Sequence, residues 1–287
     1  MKLMVRAHDL GVRGAENINS AISSLSLDGV QLVVYKSIDG VAYSPNQLSS
    51  EQARELSYEI KKNGKEIALI GAYFNPVHPN TEKISNGIAV FEDYLALAND
   101  LGCSYVGSET GSYNGDPWIY HPMNHSDEAL ERVIATFTRL ADCAKSHGVN
   151  LAMEGAFGHV CHTPARLKLA VERIGRDNIK YIFDLYNYLD ISNVDRAYEI
   201  LDEGISLLGD KILLFHIKDF IIDGEKLKQC GVGKGILDFD RILSTIYRHN
   251  KNAILVLEGT VGDDLPFAVS YLKDKINKIE NDPSGLK

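Results

Sequence analysis

Short apolar runs and amphipathic stretches take turns along the whole chain, and no other feature limits the fold as tightly. The runs fall at 3–7, 30–35, 67–73, 105–106, 149–153, 179–183, 212–217 and 253–257. They are rich in Val, Ile, Leu and Tyr and read as strands. Helical periodicity fills the intervals. The first interval carries Ile18, Ile22 and Leu25 on one face. Ser49 or Ser50 caps a helix that stops near Asn63-Gly64, Ser126-Asp127-Glu128 opens another, and Thr163-Pro164 a third. Further helices are expected over 87–101, 193–208, 239–247 and 265–279.

Eight strands alternating with eight helices over 287 residues make a repeating unit of about 36 residues, the size of one turn of a (β/α)8 barrel with loop insertions. Continuously apolar strands such as Ile212-Leu213-Leu214-Phe215 suit a parallel sheet covered on both faces. An open doubly wound sheet fits less well, because no Gly-x-Gly-x-x-Gly follows the first strand. No break in composition suggests a linker, so the expectation is an α/β fold, a single (β/α)8 TIM barrel over residues 1–287.

Composition narrows the partners. The net charge is −9, from 30 basic and 39 acidic side chains, which disfavours nucleic acid and anionic membrane as ligands. Cys103, Cys143, Cys161 and Cys230 form no Cys-x-x-Cys pair and read as free thiols of a reducing compartment. The first residues lack the apolar core of a signal peptide, and no stretch approaches the roughly 20 apolar residues of a membrane helix. A cytoplasmic protein is expected.

In such a barrel the reactive groups stand at the C-terminal ends of the strands. Four consecutive strands here end on a metal-ligating side chain: Glu154, Asp184, His216 and Glu258, spaced by 30, 32 and 42 residues. A carboxylate or imidazole at the exit of an apolar run is costly unless it is paired or bound to a metal. Any one of them could cap a helix or pair with a base, but four in succession are hard to explain that way. Three carboxylates and one imidazole favour Mn2+ or Mg2+, with Zn2+ or Co2+ also compatible.

At these residues the chain resembles the xylose-isomerase-like barrels, a family of sugar phosphate isomerases and epimerases that includes the ketose 3-epimerases. The resemblance covers nearly the whole chain. It rests on Glu154, on Asp184-x-x-Asn187, on Phe215-His216-Ile217-Lys218-Asp219, on Gly233-x-Gly235-x-x-Asp238 and on Leu257-Glu258. It implies one divalent metal held by Glu154, Asp184, His216 and Glu258, with Glu154 and Glu258 serving also as acid and base. The implied reaction removes a proton α to a ketose carbonyl and returns one, through an enediolate. Return to the same carbon is epimerisation; return to its neighbour is aldose–ketose isomerisation. The sequence leaves that choice open, along with the sugar, its phosphorylation and the oligomeric state, although relatives often pair through their helices.

Further side chains are expected at the mouth. Glu109, at the exit of strand four, is read as a substrate contact or as support for a metal ligand. Asn187 stands where relatives often carry His, and either contacts substrate or caps a helix. Lys218 binds a hydroxyl or phosphate, or pairs with Asp219 or Glu154. His159, on the loop after strand five, touches substrate or lies at the surface. Trp118, in the long aromatic loop 107–125, could lid a sugar. Gly231-x-Gly233-x-Gly235 lacks the Gly-Lys-Ser/Thr ending of a phosphate loop and reads as a tight turn. Two other functions fit the same scaffold. One is a metal hydrolase resembling the apurinic endonucleases, weakened because Asn187 replaces a ligand histidine of that family and no Asp-x-His follows His216 before His249. The other is a barrel that binds sugar without turning it over.

Overall fold

Eight parallel strands close into a ring in the order β1-β10-β7-β6-β5-β4-β3-β2, with β2 paired back to β1, in a computed structural model that describes residues 1–116 and 119–282. The ring strands are β1 (Lys2–Arg6), β2 (Gly29–Leu32), β3 (Glu66–Gly71), β4 (Tyr105–Glu109), β5 (Asn150–Glu154), β6 (Ile179–Asp184), β7 (Ile212–Ile217) and β10 (Ile254–Leu257). A hairpin of β8 (Asp219–Asp223) and β9 (Lys226–Cys230) is inserted after β7. The α/β barrel expected from the alternation is therefore present.

Around the ring lie α1 (Ala15–Ser24), the single turn α2 (Val34–Ser37), α3 (Ser50–Lys61), α4 (Thr81–Leu97), α5 (Asp127–Ser146), α6 (Pro164–Ile174), α7 (Ala197–Leu208), α8 (Phe239–His249) and α9 (Asp264–Asn281). Ser49 and Gln52 form a reciprocal capping box, and Ser126, Thr163 and Asp238 each cap the helix that follows.

Several boundaries differ from the sequence reading; β4 runs on to Glu109 instead of stopping at residue 106, α4 stops at Leu97 instead of residue 101, and α7 begins at Ala197 instead of residue 193. The second run leaves the sheet after Leu32 and coils into α2. There the Arg13 guanidinium donates to the carbonyls of Lys36 and Ile38, each at 2.6 Å, and gathers the segment into a turn. The third strand ends at Gly71 rather than at residue 73. Helix α4 begins at Thr81, not at Gly87, because the Asn80 side chain accepts from the Glu82 N–H at 2.8 Å. Gly87 sits inside the helix, where a Cβ would come within 2.5 Å of Phe74.

Two packing systems follow from the period-two alternation of the strands. One set of side chains points outward beneath the helices and forms the main core, with Phe183 and Phe215 among them. Gly204 of α7 lies over Phe183, and a Cβ there would stand 2.0 Å from its ring. The other set fills the barrel: Met4, Leu69, Ala152, Ile182, Leu214 and Val256. Two residues further along their strands stand Arg6, Gly71, Glu154, Asp184, His216 and Glu258. The polar ring at the mouth is thus the next inward layer above an apolar plug.

Candidate active site

Three carboxylates close on one imidazole nitrogen. His216 Nδ1 lies 3.2 Å from Glu154 Oε1, 3.6 Å from Asp184 Oδ2 and 2.9 Å from Glu258 Oε2. Ligand atoms of Glu154, Asp184 and His216 all fall within 4.8 Å of one another, and all three residues are buried. Glu258 touches the imidazole but stands outside that closest set, because its Oε1 is held by Arg6 Nη1 and Lys218 Nζ, each at 2.8 Å.

The donor set fits a divalent cation. Glu154 Oε2 and Asp184 Oδ2 are buried and accept no hydrogen bond; Asp184 Oδ2 lies 2.9 Å from Lys218 Nζ, an ion pair without hydrogen-bond alignment. Buried carboxylate oxygens in this condition call for a cation to compensate their lost hydration. The opposite imidazole nitrogen is already taken. His216 Nε2 lies 2.7 Å from Gln31 Oε1, and the Gln31 amide donates to the Tyr73 hydroxyl at 2.6 Å. With Nε2–H directed at Gln31, Nδ1 is the nitrogen that faces the carboxylates, and it would present a lone pair to a cation that took the place of its proton. Glu154, Asp184 and His216 could therefore hold a metal ion.

The surrounding charges divide the acids. Burial penalises the Glu258 carboxylate, but Lys218, His216 and Arg6 outweigh it and hold the group well below the usual range. Burial pushes Glu154 up, against the opposing pull of His216. Glu109 is pushed up to about 8 by burial and by the charges of Glu154 and Glu258. His216 and Lys218 are held in their charged forms: burial opposes this, and the neighbouring carboxylates overcome it.

The remaining side chains named from the sequence take definite places. Lys218 is buried in the nest, with Asn187 Oδ1 at 3.0 Å in addition to Asp184 and Glu258. Its expected alternative partner, Asp219, is otherwise engaged: that buried carboxylate accepts the backbone N–H groups of Phe220, Gly233, Gly235 and Leu237 at 2.9, 3.0, 2.9 and 3.3 Å. The glycine run is thus a turn wrapped around an acid, as its lack of a phosphate-loop ending suggests. Asn187 caps no helix; its amide donates to Glu154 Oε1 at 2.7 Å and so braces a ligand. His159 is buried rather than superficial, with Nδ1 3.8 Å from Glu109 Oε2. Both line a cavity of about 550 Å³ with Ile119, Tyr120, Tyr186 and Asn187. Trp118 lies outside the described residues.

Gln31 and Arg6 were not singled out in the sequence. Their signal was there: each is a polar residue within an apolar strand run, and both sit in the inward register of the ligands. Among the described residues no helix is long and apolar enough to cross a membrane.

Comparison with known proteins agrees with this architecture. Residues 20–275 match the family model for the xylose isomerase-like TIM barrel. A probable L-ribulose-5-phosphate 3-epimerase of Mycoplasma pneumoniae is 26% identical over 179 residues, 62% of this chain and 54% of that protein. An inosose isomerase of Bacillus velezensis is 25% identical over 181 residues, covering 60% of this chain and 59% of its own. The match thus spans somewhat over half the length of these curated relatives. Among solved structures, the IOLI protein with a bound zinc atom superposes with a TM-score of 0.71 at 16% identity, over 97% of this chain and 99% of that one. With the family model spanning most of its length and the barrel closed as that family requires, this chain belongs to the xylose isomerase-like TIM barrel family.

Proposed function

We propose that this protein is a metal-dependent isomerase or epimerase of polyhydroxy carbonyl compounds. The observation that carries the reading is the convergence of Glu154, Asp184 and Glu258 on one nitrogen of His216 at the mouth of the barrel. The names of the relatives, an epimerase and an isomerase of sugars and inososes, point to the same chemistry.

Glu154, Asp184 and His216 would hold the metal, with Glu258 as the fourth ligand; the oxygen-rich set favours Mn2+ or Mg2+ and also accepts Zn2+ or Co2+. When bound, such an ion supplies Lewis-acid polarisation of a carbonyl oxygen. The chain's own residues do the rest. Glu154 at the end of β5 and Glu258 just past the end of β10 stand three strands apart around the ring, so a substrate carbon between them meets a carboxyl group on each side. One removes the α-proton and the other delivers a proton, a contribution of about 10²–10⁴ in rate. Asn187 keeps Glu154 in place, and Lys218 keeps Asp184 and Glu258 in place. Glu109 and His159 line the cavity where substrate hydroxyls would lie.

The reading is tested by incubating a ketose panel with the Mn2+-loaded protein in D2O. Loss of the α-proton signal is expected for at least one sugar. Ligand-dependent thermal stabilisation without exchange across the panel would replace the enzyme by a sugar-binding barrel.

A further inference from the structure

Of the inward residues that stand above the barrel plug, Gly71 of β3 is the one without a side chain. The position has no room for one: a Cβ there would stand 2.6 Å from Cε2 of Tyr73 and 2.8 Å from Val33. The Tyr73 ring lies over the glycine and fills the place that β3 leaves open. Hydrogen bonds pin the backbone around it. The Ala72 N–H donates to the Gly107 carbonyl at 2.9 Å, the Tyr43 hydroxyl to the Tyr73 carbonyl at 3.0 Å, and the Phe74 N–H to Ser108 Oγ at 3.2 Å.

The Tyr73 hydroxyl ends a directed chain of hydrogen bonds. His216 Nε2 donates to Gln31 Oε1 at 2.7 Å, and Gln31 Nε2 donates to Tyr73 Oη at 2.6 Å. Each donation in such a chain polarises the next. With a lone pair taken by Gln31, the hydroxyl still has its own proton to give, and among the described residues no acceptor lies within hydrogen-bond distance of it. Burial and the charges of Glu154, Glu258 and Glu109 push the phenol well above its usual range, so the proton stays on it. Tyr73 lines a cavity of about 340 Å³ together with Arg6, Glu109 and Glu258. Glu109 also borders the larger cavity that holds His159 and Asn187. Both cations that touch Glu258 are committed elsewhere as well, Arg6 to Asp9 and Lys218 to Asp184 and Asn187. An uncommitted O–H donor beside the acid–base pair suits an oxygen that gains negative charge.

We propose that Tyr73 is a catalytic residue whose hydroxyl donates a hydrogen bond to a substrate oxygen while the α-proton leaves the neighbouring carbon. The inference rests on the isomerase reading for the reaction, and on the cavity and the Gln31 contact for the donor. No proton passes from the phenol. Its hydrogen bond strengthens as charge gathers on that oxygen and relaxes when a proton returns to carbon.

Tyr73→Phe keeps the ring over Gly71 and removes only the hydroxyl. Two measurements on the Mn2+-loaded variant and wild type test the proposal. The first follows α-proton exchange of the ketose panel in D2O at saturating Mn2+. Tyr73→Phe should lower kcat by about 10²-fold or more and leave KM within about threefold of wild type. The second titrates, by calorimetry, the hydroxamate of a four-carbon sugar acid, which mimics an enediolate. Tyr73→Phe should bind it about tenfold or more weakly, while Mn2+ affinity stays within about threefold of wild type. A wild-type kcat in Tyr73→Phe would overturn the proposal, as would an unchanged hydroxamate affinity. A loss confined to Mn2+ affinity would likewise overturn it, by reducing Tyr73 to a brace for Gln31. Hydroxamate binding that depends on Tyr73, with no exchange on any sugar, would retain the donor and sink the isomerase reading instead.

Discussion

His216 of β7 and Gln31 of β2 meet across the barrel mouth, Nε2 to Oε1, at 2.7 Å. The contact joins strands that are not neighbours in the ring. It leaves the other imidazole nitrogen to the carboxylates, and Gln31 is itself held by Tyr73. Replacing Gln31 by Leu should therefore weaken divalent-metal affinity by about 10- to 100-fold while the barrel stays folded. Calorimetric titration with Mn2+ checks this, and an unchanged affinity would show that Gln31 does not orient the ligand.

Glu258→Gln removes a carboxylate that Arg6, Lys218 and His216 all address, with little change in shape. Exchange of the α-proton should fall by about 10²-fold or more, while the circular dichroism spectrum is retained. Activity near the wild-type level would remove Glu258 from the acid–base pair.

Asp219→Ala strips the acceptor from four backbone N–H groups at the base of the glycine turn. Buried donors left without a partner cost about 1–3 kcal/mol each, reduced where water can enter. A loss of about 3 kcal/mol in unfolding free energy is expected by urea titration. Asp219→Asn, which keeps one oxygen, should lose less.

His162 supplies a pH dependence away from the metal ligands. Its ring stacks on His125 at 3.7 Å and is lowered to about 4 by burial, then by His125. Because the folded state resists protonation, the unfolded chain binds more protons between the ordinary value of 6.5 and about 4. Stability should accordingly fall as pH drops through that window. His162→Phe should flatten the slope of Tm against pH there and leave the neutral Tm close to wild type. An identical slope would show that the ring does not contribute.

Much of this site was legible because the inward layer repeats every second residue. Glu154, Asp184, His216 and Glu258 each end an apolar run, and each stands two residues beyond a member of the barrel's interior plug. The same arithmetic applied to Met4 would have drawn attention to Arg6. Gln31 was harder to find, because its run continues through Leu32, Val33 and Val34 and conceals the point where the chain leaves the sheet. The parts that went unread depend on contacts distant in sequence. The β8–β9 hairpin is largely polar and exposed at its tip. Asp219 gains its role only when residues 233–237 fold back over it. The start of α4 is decided by one side-chain cap, which overrides the glycine that seemed to mark a boundary.

The seam between β1 and β10 carries a consequence for the life of the chain. Arg6 grips Glu258, and the Asp9 carboxylate accepts the Gly259 N–H at 2.7 Å, across about 250 residues of intervening sequence. A chain still emerging from the ribosome with β7 just complete already possesses Glu154, Asp184 and His216, yet has no Glu258 and no seam. The full set of carboxylates around His216 arrives with the final strand, in the same event that shuts the cylinder.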